Sequence, residues 1–302
     1  MENQLIVPHL WFDTQAEAAV DFYTSIFPKS KKHMNAFLED TPSGDTPLYS
    51  FELINYKFMA ISAGPYFLFN PSISFTLNFN SISDMAANEA LETTWNKLID
   101  GGTALMPLDS YPFSSKYGWV QDKYGITWQL MLSEHPEQTR ANIVPTLMFV
   151  GNNYGSAKEA IEYYVSVFKD SEIGDIAYYP ADHSPHQEGT VMHGSFKLGG
   201  QWFSVMDSAL EHNFSFNEAI SLIVQCSDQQ EIDYYWERLS FVPESEQCGW
   251  LKDKFGVSWQ IYPTVMEEML RTGSKEQINR VTQTFLKMKK FDIATLEKAY
   301  RG

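Results

Sequence analysis

One segment of the chain occurs twice. Gly118-Trp119-Val120-Gln121-Asp122-Lys123-Tyr124-Gly125-Ile126-Thr127-Trp128-Gln129-Leu130 returns as Gly249-Trp250-Leu251-Lys252-Asp253-Lys254-Phe255-Gly256-Val257-Ser258-Trp259-Gln260-Ile261. The echo extends to Ile6-Val7-Pro8 with Ile143-Val144-Pro145, Phe22-Tyr23 with Tyr163-Tyr164, Phe51 and Phe58 with Phe196 and Phe203, and Trp95 with Trp236. Correspondences that recur in one order mean an internal duplication, and a duplication fixes architecture before any single motif is weighed.

Each half reads as strand, helix and three strands, and then the same again. Alternation marks the strands, as in Ser72 to Phe79, and helical spacing marks the segments from Ala16 to Phe27 and from Met85 to Ile99. Thr14 with Glu17 and Ser156 with Glu159 fit capping boxes, in which hydroxyl and carboxylate each satisfy an orphan backbone N–H. Gly199-Gly200 reads as a hairpin turn. The polar stretch Ser133 to Arg140 is expected to be a linker. Beyond Pro263, Ile278, Val281, Phe285 and Met288 make one helical stripe after a Ser274 to Gln277 cap, and a last short helix starts at Asp292. The expected division is 1–139, 140–264 and a helical tail, 265–302.

The 302 residues match two domains at roughly 100 to 200 residues each. A net charge of -16 argues against nucleic acid and anionic membranes, which need basic surfaces. No apolar run reaches the ~18 to 20 residues of a membrane span, and Met1 to Gln4 lack a basic signal-peptide start, so a cytoplasmic location is expected. Cys226 and Cys248 have no paired spacing and read as buried, reduced thiols. Lys287, Lys289 and Lys290 are expected to meet a helix dipole at its C-terminus.

The turn Asp122-Lys123-Tyr124-Gly125 suits a tight hairpin with glycine in the left-handed region. Counting outward from it sets Trp119 opposite Gln129, and Trp250 opposite Gln260. Indole beside amide gives a flat apolar wall with one hydrogen-bonding handle, the composition of a small-molecule pocket. A core glutamine must have its amide satisfied, and these two either bond their neighbours or serve a ligand. Trp128 and Trp259 point to the other face, toward helices.

The doubled Gly-Trp…Asp-x-x-Gly-x-x-Trp-Gln hairpin, the Pro-x-Leu-x-Phe strand, the Phe-Tyr helix and Val191-Met192-His193 resemble the vicinal oxygen chelate (glyoxalase and bleomycin-resistance) superfamily. Within it they are most similar to the PhnB-like subfamily, labelled 3-demethylubiquinone-9 3-methyltransferase-like, over residues 5–263. The resemblance implies an α+β fold of tandem glyoxalase-like domains, each of two βαβββ modules in a curved, half-open barrel, plus C-terminal helices. In metal-using members the ligands come from the first strand, the strand opening the second module and the last strand. Those positions carry over to Pro8, Ser74 and Gln129, and to Pro145, Ser221 and Gln260. Only His9, one residue along, offers a metal ligand, and alternation turns it away from the face assigned to Pro8.

His193 and Asp207 form a candidate acid–base pair, with Leu48 and Ser62 as their counterparts in the first half. Asp182, His183, His186 and Glu188 lie in a Pro- and Gly-rich loop and are expected to be solvated. Two readings remain. The first is a metal-free protein that binds a small molecule at Trp119, Gln129, Trp250 and Gln260, with no cofactor. The second is an enzyme of the lyase, isomerase or dioxygenase type, with metal at a site using His9 or acid–base work by His193. A methyltransferase is disfavoured, because no Gly-x-Gly-x-x-Gly turn occurs. A homodimer stays open, although fused halves can make internally the pairing that single-domain relatives make between chains.

Overall fold

A computed structural model describes residues 4–80, 85–133 and 142–302. Apart from Ser133, the expected linker lies outside the described residues. The first module comprises β1 (Ile6–Phe12), α1 (Ala16–Ile26), β2 (Lys31–Thr41), β3 (Gly44–Leu53) and β4 (Tyr56–Ser62). The second has β5 (Ile73–Asn80), α2 (Met85–Ile99), β6 (Thr103–Tyr111), β7 (Ser114–Gln121) and β8 (Thr127–Ser133). In the second repeat come β9 (Ile143–Phe149), α3 (Ala157–Val167), β10 (Glu172–Tyr178), β11 (Val191–Leu198) and β12 (Gln201–Asp207). The last module has only β13 (Ile220–Cys226), α4 (Gln229–Leu239), β14 (Trp250–Lys252) and β15 (Ser258–Pro263), followed by α5 (Thr264–Thr272), α6 (Lys275–Phe285) and α7 (Ile293–Arg301).

The strands pair across the repeats. Sheet order is β14-β15-β13-β1-β4-β3-β2 in one sheet and β10-β11-β12-β9-β5-β8-β7-β6 in the other. Each sheet therefore takes one module from each repeat, joined by an antiparallel central pair: β1 with β13, and β5 with β9. Neither sheet closes into a barrel. The compact units follow the sheets: Met1–Leu68 with Phe216–Gly302 form unit 1, and Phe69–Ser215 form unit 2. The boundaries at 1–139 and 140–264 thus delimit repeats of sequence, whereas each compact unit combines halves of both.

On each sheet one face meets helices. Ala16, Ala19, Val20 and Tyr23 share one side of α1 and are buried, as helical spacing requires. Tyr23 stacks at 6.4 Å on Phe51, and Phe51 at 5.2 Å on Phe58. Tyr164, Phe196 and Phe203 repeat the stack in unit 2 at 6.4 and 5.6 Å, which explains why these aromatics recur in the sequence.

The boxes expected at Thr14–Glu17 and Ser156–Glu159 do not form; neither helix has a side-chain cap from its own N-terminus. The cap comes instead from the end of the parallel neighbour strand. Ser62 Oγ accepts the Ala16 N–H at 3.1 Å. At the equivalent place, Asp207 accepts the N–H groups of Gly155 (2.8 Å), Ala157 (3.3 Å) and Val191 (2.8 Å). A carboxylate serves three orphan donors where a hydroxyl serves one. Asp207→Ala is accordingly expected to cost about 3 kcal/mol and Ser62→Ala about 1 kcal/mol in denaturant melts; equal losses would refute this account.

The tail caps form as expected: Ser274 and Gln277 make a capping box, and Asp292 accepts the Thr295 N–H. In the last module no strand matches β6 among the described residues. The tail supplies partners there, since Cys248 N–H donates to Met288 O (2.8 Å) and Gly249 N–H to Lys289 O (2.7 Å). Lys289 and Lys290 do not serve a helix dipole; they pair with Glu246 (3.2 Å) and Asp233 (2.5 Å). No helix among the described residues is long and apolar enough to cross a membrane.

Candidate functional site

The repeated hairpin is a rigid corner. Asp122 Oδ1 accepts the N–H groups of Tyr124 and Ile126 (2.8 and 3.2 Å), while Oδ2 accepts Trp128 Nε1–H at 2.8 Å. Asp253 does the same with Phe255, Val257 and Trp259 (2.8, 3.0 and 2.8 Å). Gly125 and Gly256 have φ of +95° and +83°, a conformation that favours glycine. The Asp and second Trp of the motif are thus structural. On the opposite, inner face the registers are Trp119 with Gln129 and Trp250 with Gln260, as counting from the turn requires.

In unit 2 the Gln129 amide is held at both ends. Its Nε2 donates to Ser74 Oγ (2.8 Å), and the Tyr117 phenol donates to its Oε1 (2.8 Å). Burial pushes the Tyr117 hydroxyl well above the usual phenol range, so it stays a donor. Thr76 and Thr146 hydroxyls lie 2.8 Å apart on the adjoining strands. Trp119 Nε1–H is buried and has no partner in the protein. Farther along the same face is a cleft of about 20 Å³ lined by Thr76, Asn78, Met131, Val144, His193 and Ser204, among others. That volume holds about one water molecule. His193 faces this cleft, but Asp207 lies on the helix side capping α3, so the structure does not bring the expected acid–base pair together.

In unit 1, Gln260 Nε2 donates to Ser221 Oγ at 2.7 Å, and Trp250 Nε1–H is buried without a partner. His9 stands opposite Ser221 and Met59 in register and meets the Trp250 ring edge-on at 5.6 Å. The assignment of Pro8 and Pro145 to this face is therefore corrected: His9 and Thr146 occupy it. The groupings change too. His9 belongs with Ser221 and Gln260, and Thr146 with Ser74 and Gln129, because the central strand pairs cross the repeats. Burial alone lowers the His9 pKa to about 3, and its Nδ1 has no partner in the protein.

A divalent ion wants several imidazole, thiolate or carboxylate donors around an open position. The sets His9, Ser221, Gln260 and Thr146, Ser74, Gln129 do not fit one, since a single imidazole stands among hydroxyls and amides whose N–H groups already donate. Among the described residues no three His, Cys, Asp or Glu side chains group as a metal site. In the loop 180–189, His186 stacks on Tyr179 at 3.9 Å and His183 approaches the same ring at 5.2 Å. Cys226 and Cys248 are free and buried, and burial raises both thiols, Cys248 to about 11. Neither is a nucleophile at neutral pH.

Sequence reading missed Tyr117, Thr76, Thr146 and Ser204. Two-residue steps from Trp119 and Ser74 reach the first two, but only the pairing of β9 with β5 and β12 brings Thr146 and Ser204 to the site.

A family model described as 3-demethylubiquinone-9 3-methyltransferase matches residues 4–131 and 141–262. The PhnB protein of Bacillus cereus is 37% identical over 43% of this chain and 100% of its own, with a TM-score of 0.39. A protein from Pseudomonas aeruginosa is 21% identical over 43% of this chain and 98% of its own, with a TM-score of 0.35. Glyoxalase I from Zea mays is 11% identical, covers 89% of this chain and 98% of its own, and has a TM-score of 0.52, a likeness of fold. No curated protein matches. With both repeats matched, the chain belongs to the 3-demethylubiquinone-9 3-methyltransferase-like (PhnB-like) family, as a duplicated member on the vicinal oxygen chelate fold.

Proposed function

We propose that this protein binds a small uncharged molecule on the inner face of the unit 2 sheet, without a metal ion. The observation that carries the reading is the buried, unpartnered indole N–H of Trp119 beside an amide fixed by Ser74 and Tyr117. An unmet buried donor costs ~1 to 3 kcal/mol, so it favours whatever brings an acceptor. The cleft farther along the face, which Trp119 and Gln129 do not line and which has room for one water as it stands, carries no lysine, arginine or carboxylate, so a neutral ligand with hydroxyl or carbonyl groups would enter by widening it. Acid–base chemistry by His193 gains no support, since its expected carboxylate partner serves a helix cap. Methyl transfer, named in the family description, gains none from a chain without a glycine-rich nucleotide turn.

The test uses a panel of neutral aromatic amides and phenols, 4-hydroxybenzamide among them, scored by calorimetry. Trp119→Phe is expected to weaken binding at least tenfold, the 1.4 kcal/mol scale of one hydrogen bond, with little change in melting. Trp128→Phe, on the helix side, is expected to lower stability and leave binding intact. Failure of the whole panel to bind, or binding indifferent to Trp119→Phe, would sink the reading.

A further inference from the structure

The duplication supplies two versions of every inner-face position, and three of those lining the cleft change from polar to apolar, while Ser195 and Asn78 keep polar counterparts in Ser50 and Gln225. The cleft residues Thr76, His193 and Ser204 of unit 2 correspond to Ile223, Leu48 and Met59 of unit 1; Val144 and Met131 correspond to Val7 and Tyr262. All five unit 1 residues belong to one buried cluster with Met266, Met269 and Leu270 of α5, Val281 and Phe285 of α6, and Leu296 of α7. Trp202, also in the cleft, corresponds to Lys57, whose Nζ lies 2.9 Å from Glu267 of α5. Tyr117, which orders Gln129, corresponds to Cys248, whose N–H is taken by the tail at Met288 O.

We infer that the C-terminal helices fill in unit 1 the place that remains a small cleft in unit 2, so that the duplicated chain keeps one accessible binding site. The three polar-to-apolar exchanges suit an apolar occupant that never leaves, because a hydroxyl or imidazole under a packed helix loses its water without replacement. Unit 1 keeps the handle of the original design in Gln260, Ser221 and Trp250. Its pocket is filled by Met266, Phe285 and their neighbours rather than by a ligand.

The inference rests on the proposed function only in treating the unit 2 cleft as a ligand site. Its test needs no knowledge of the ligand. His193→Cys and Leu48→Cys place a thiol at equivalent positions, and iodoacetamide, a small neutral amide, reports access to each. In the folded protein the thiol in unit 2 is expected to alkylate at least tenfold faster than the one in unit 1, with equal rates in denaturant. Equal rates in the folded protein would overturn the inference. Peroxide oxidation of the unaltered chain guards against a variant that fails to fold: Met131 of the unit 2 cleft is expected to oxidise at least tenfold faster than Met59, and similar rates would again overturn it. Any panel compound that binds is expected to do so once per chain. A chain with the access asymmetry that binds no panel compound would refute the binding reading and leave the sealed pocket standing.

Discussion

Ending the chain at Gly273 is expected to lower the stability of unit 1 by several kcal/mol. The truncation removes Val281, Phe285, Phe291 and Leu296, all buried in the cluster that covers Val7, Leu48, Met59 and Ile223. Each large side chain withdrawn from water contributes about 1.5 to 3 kcal/mol, and the sheet face beneath them is exposed at the same time. The cut also removes the carbonyls of Met288 and Lys289 that hold the strand edge at Cys248 and Gly249. Chemical denaturation followed by near-ultraviolet circular dichroism should show an early transition that the full chain lacks. An unchanged midpoint would mean that the tail is an appendage.

Acidification is expected to destabilise unit 1 through His9. In the folded protein burial lowers its pKa from 6.5 to about 3, whereas in the unfolded chain it protonates normally. Between those values the unfolded state binds a proton that the native state does not, so stability is intact above about pH 6.5 and falls as the pH drops. The slope is about 1.4 kcal/mol per pH unit, and the loss stops growing near pH 3, where the native imidazole also protonates. His9→Gln, which keeps a polar side chain and cannot titrate, should flatten the profile between pH 6 and 4. A variant profile as steep as that of the parent protein would assign the acid sensitivity elsewhere.

Some features were legible because they are local. The hairpin around Asp122 and Gly125 fixes its own register, so the pairing of Trp119 with Gln129 follows from counting, and the copy at Asp253 repeats it. Most of the tail stripe was legible for the same reason: Ile278, Val281 and Phe285 lie on one helical face whatever they pack against, whereas Met288, expected in the same stripe, lies beyond the end of α6 at Phe285. The caps of α1 and α3 were not legible, because Ser62 and Asp207 lie some forty to fifty residues from the N–H groups they accept. Local capping boxes were the natural expectation, and a strand end brought alongside by the sheet replaced them.

The sequence by itself determined the duplication, the module order, the rigid Asp-x-x-Gly-x-x-Trp-Gln corner and the opposition of indole to amide. Only the tertiary structure decided which module pairs with which, that His9 and not Pro8 faces Ser221 and Gln260, and that the tail fills one inner face and not its twin. The physical reason lies in the central strands. β9 is buried at every position and β1 at every position but Trp11, so alternation of polar and apolar residues, which sets the phase of a half-exposed strand, is silent there. Their phase is set by hydrogen-bonded neighbours from the other repeat, and those neighbours are chosen by packing across the whole sheet.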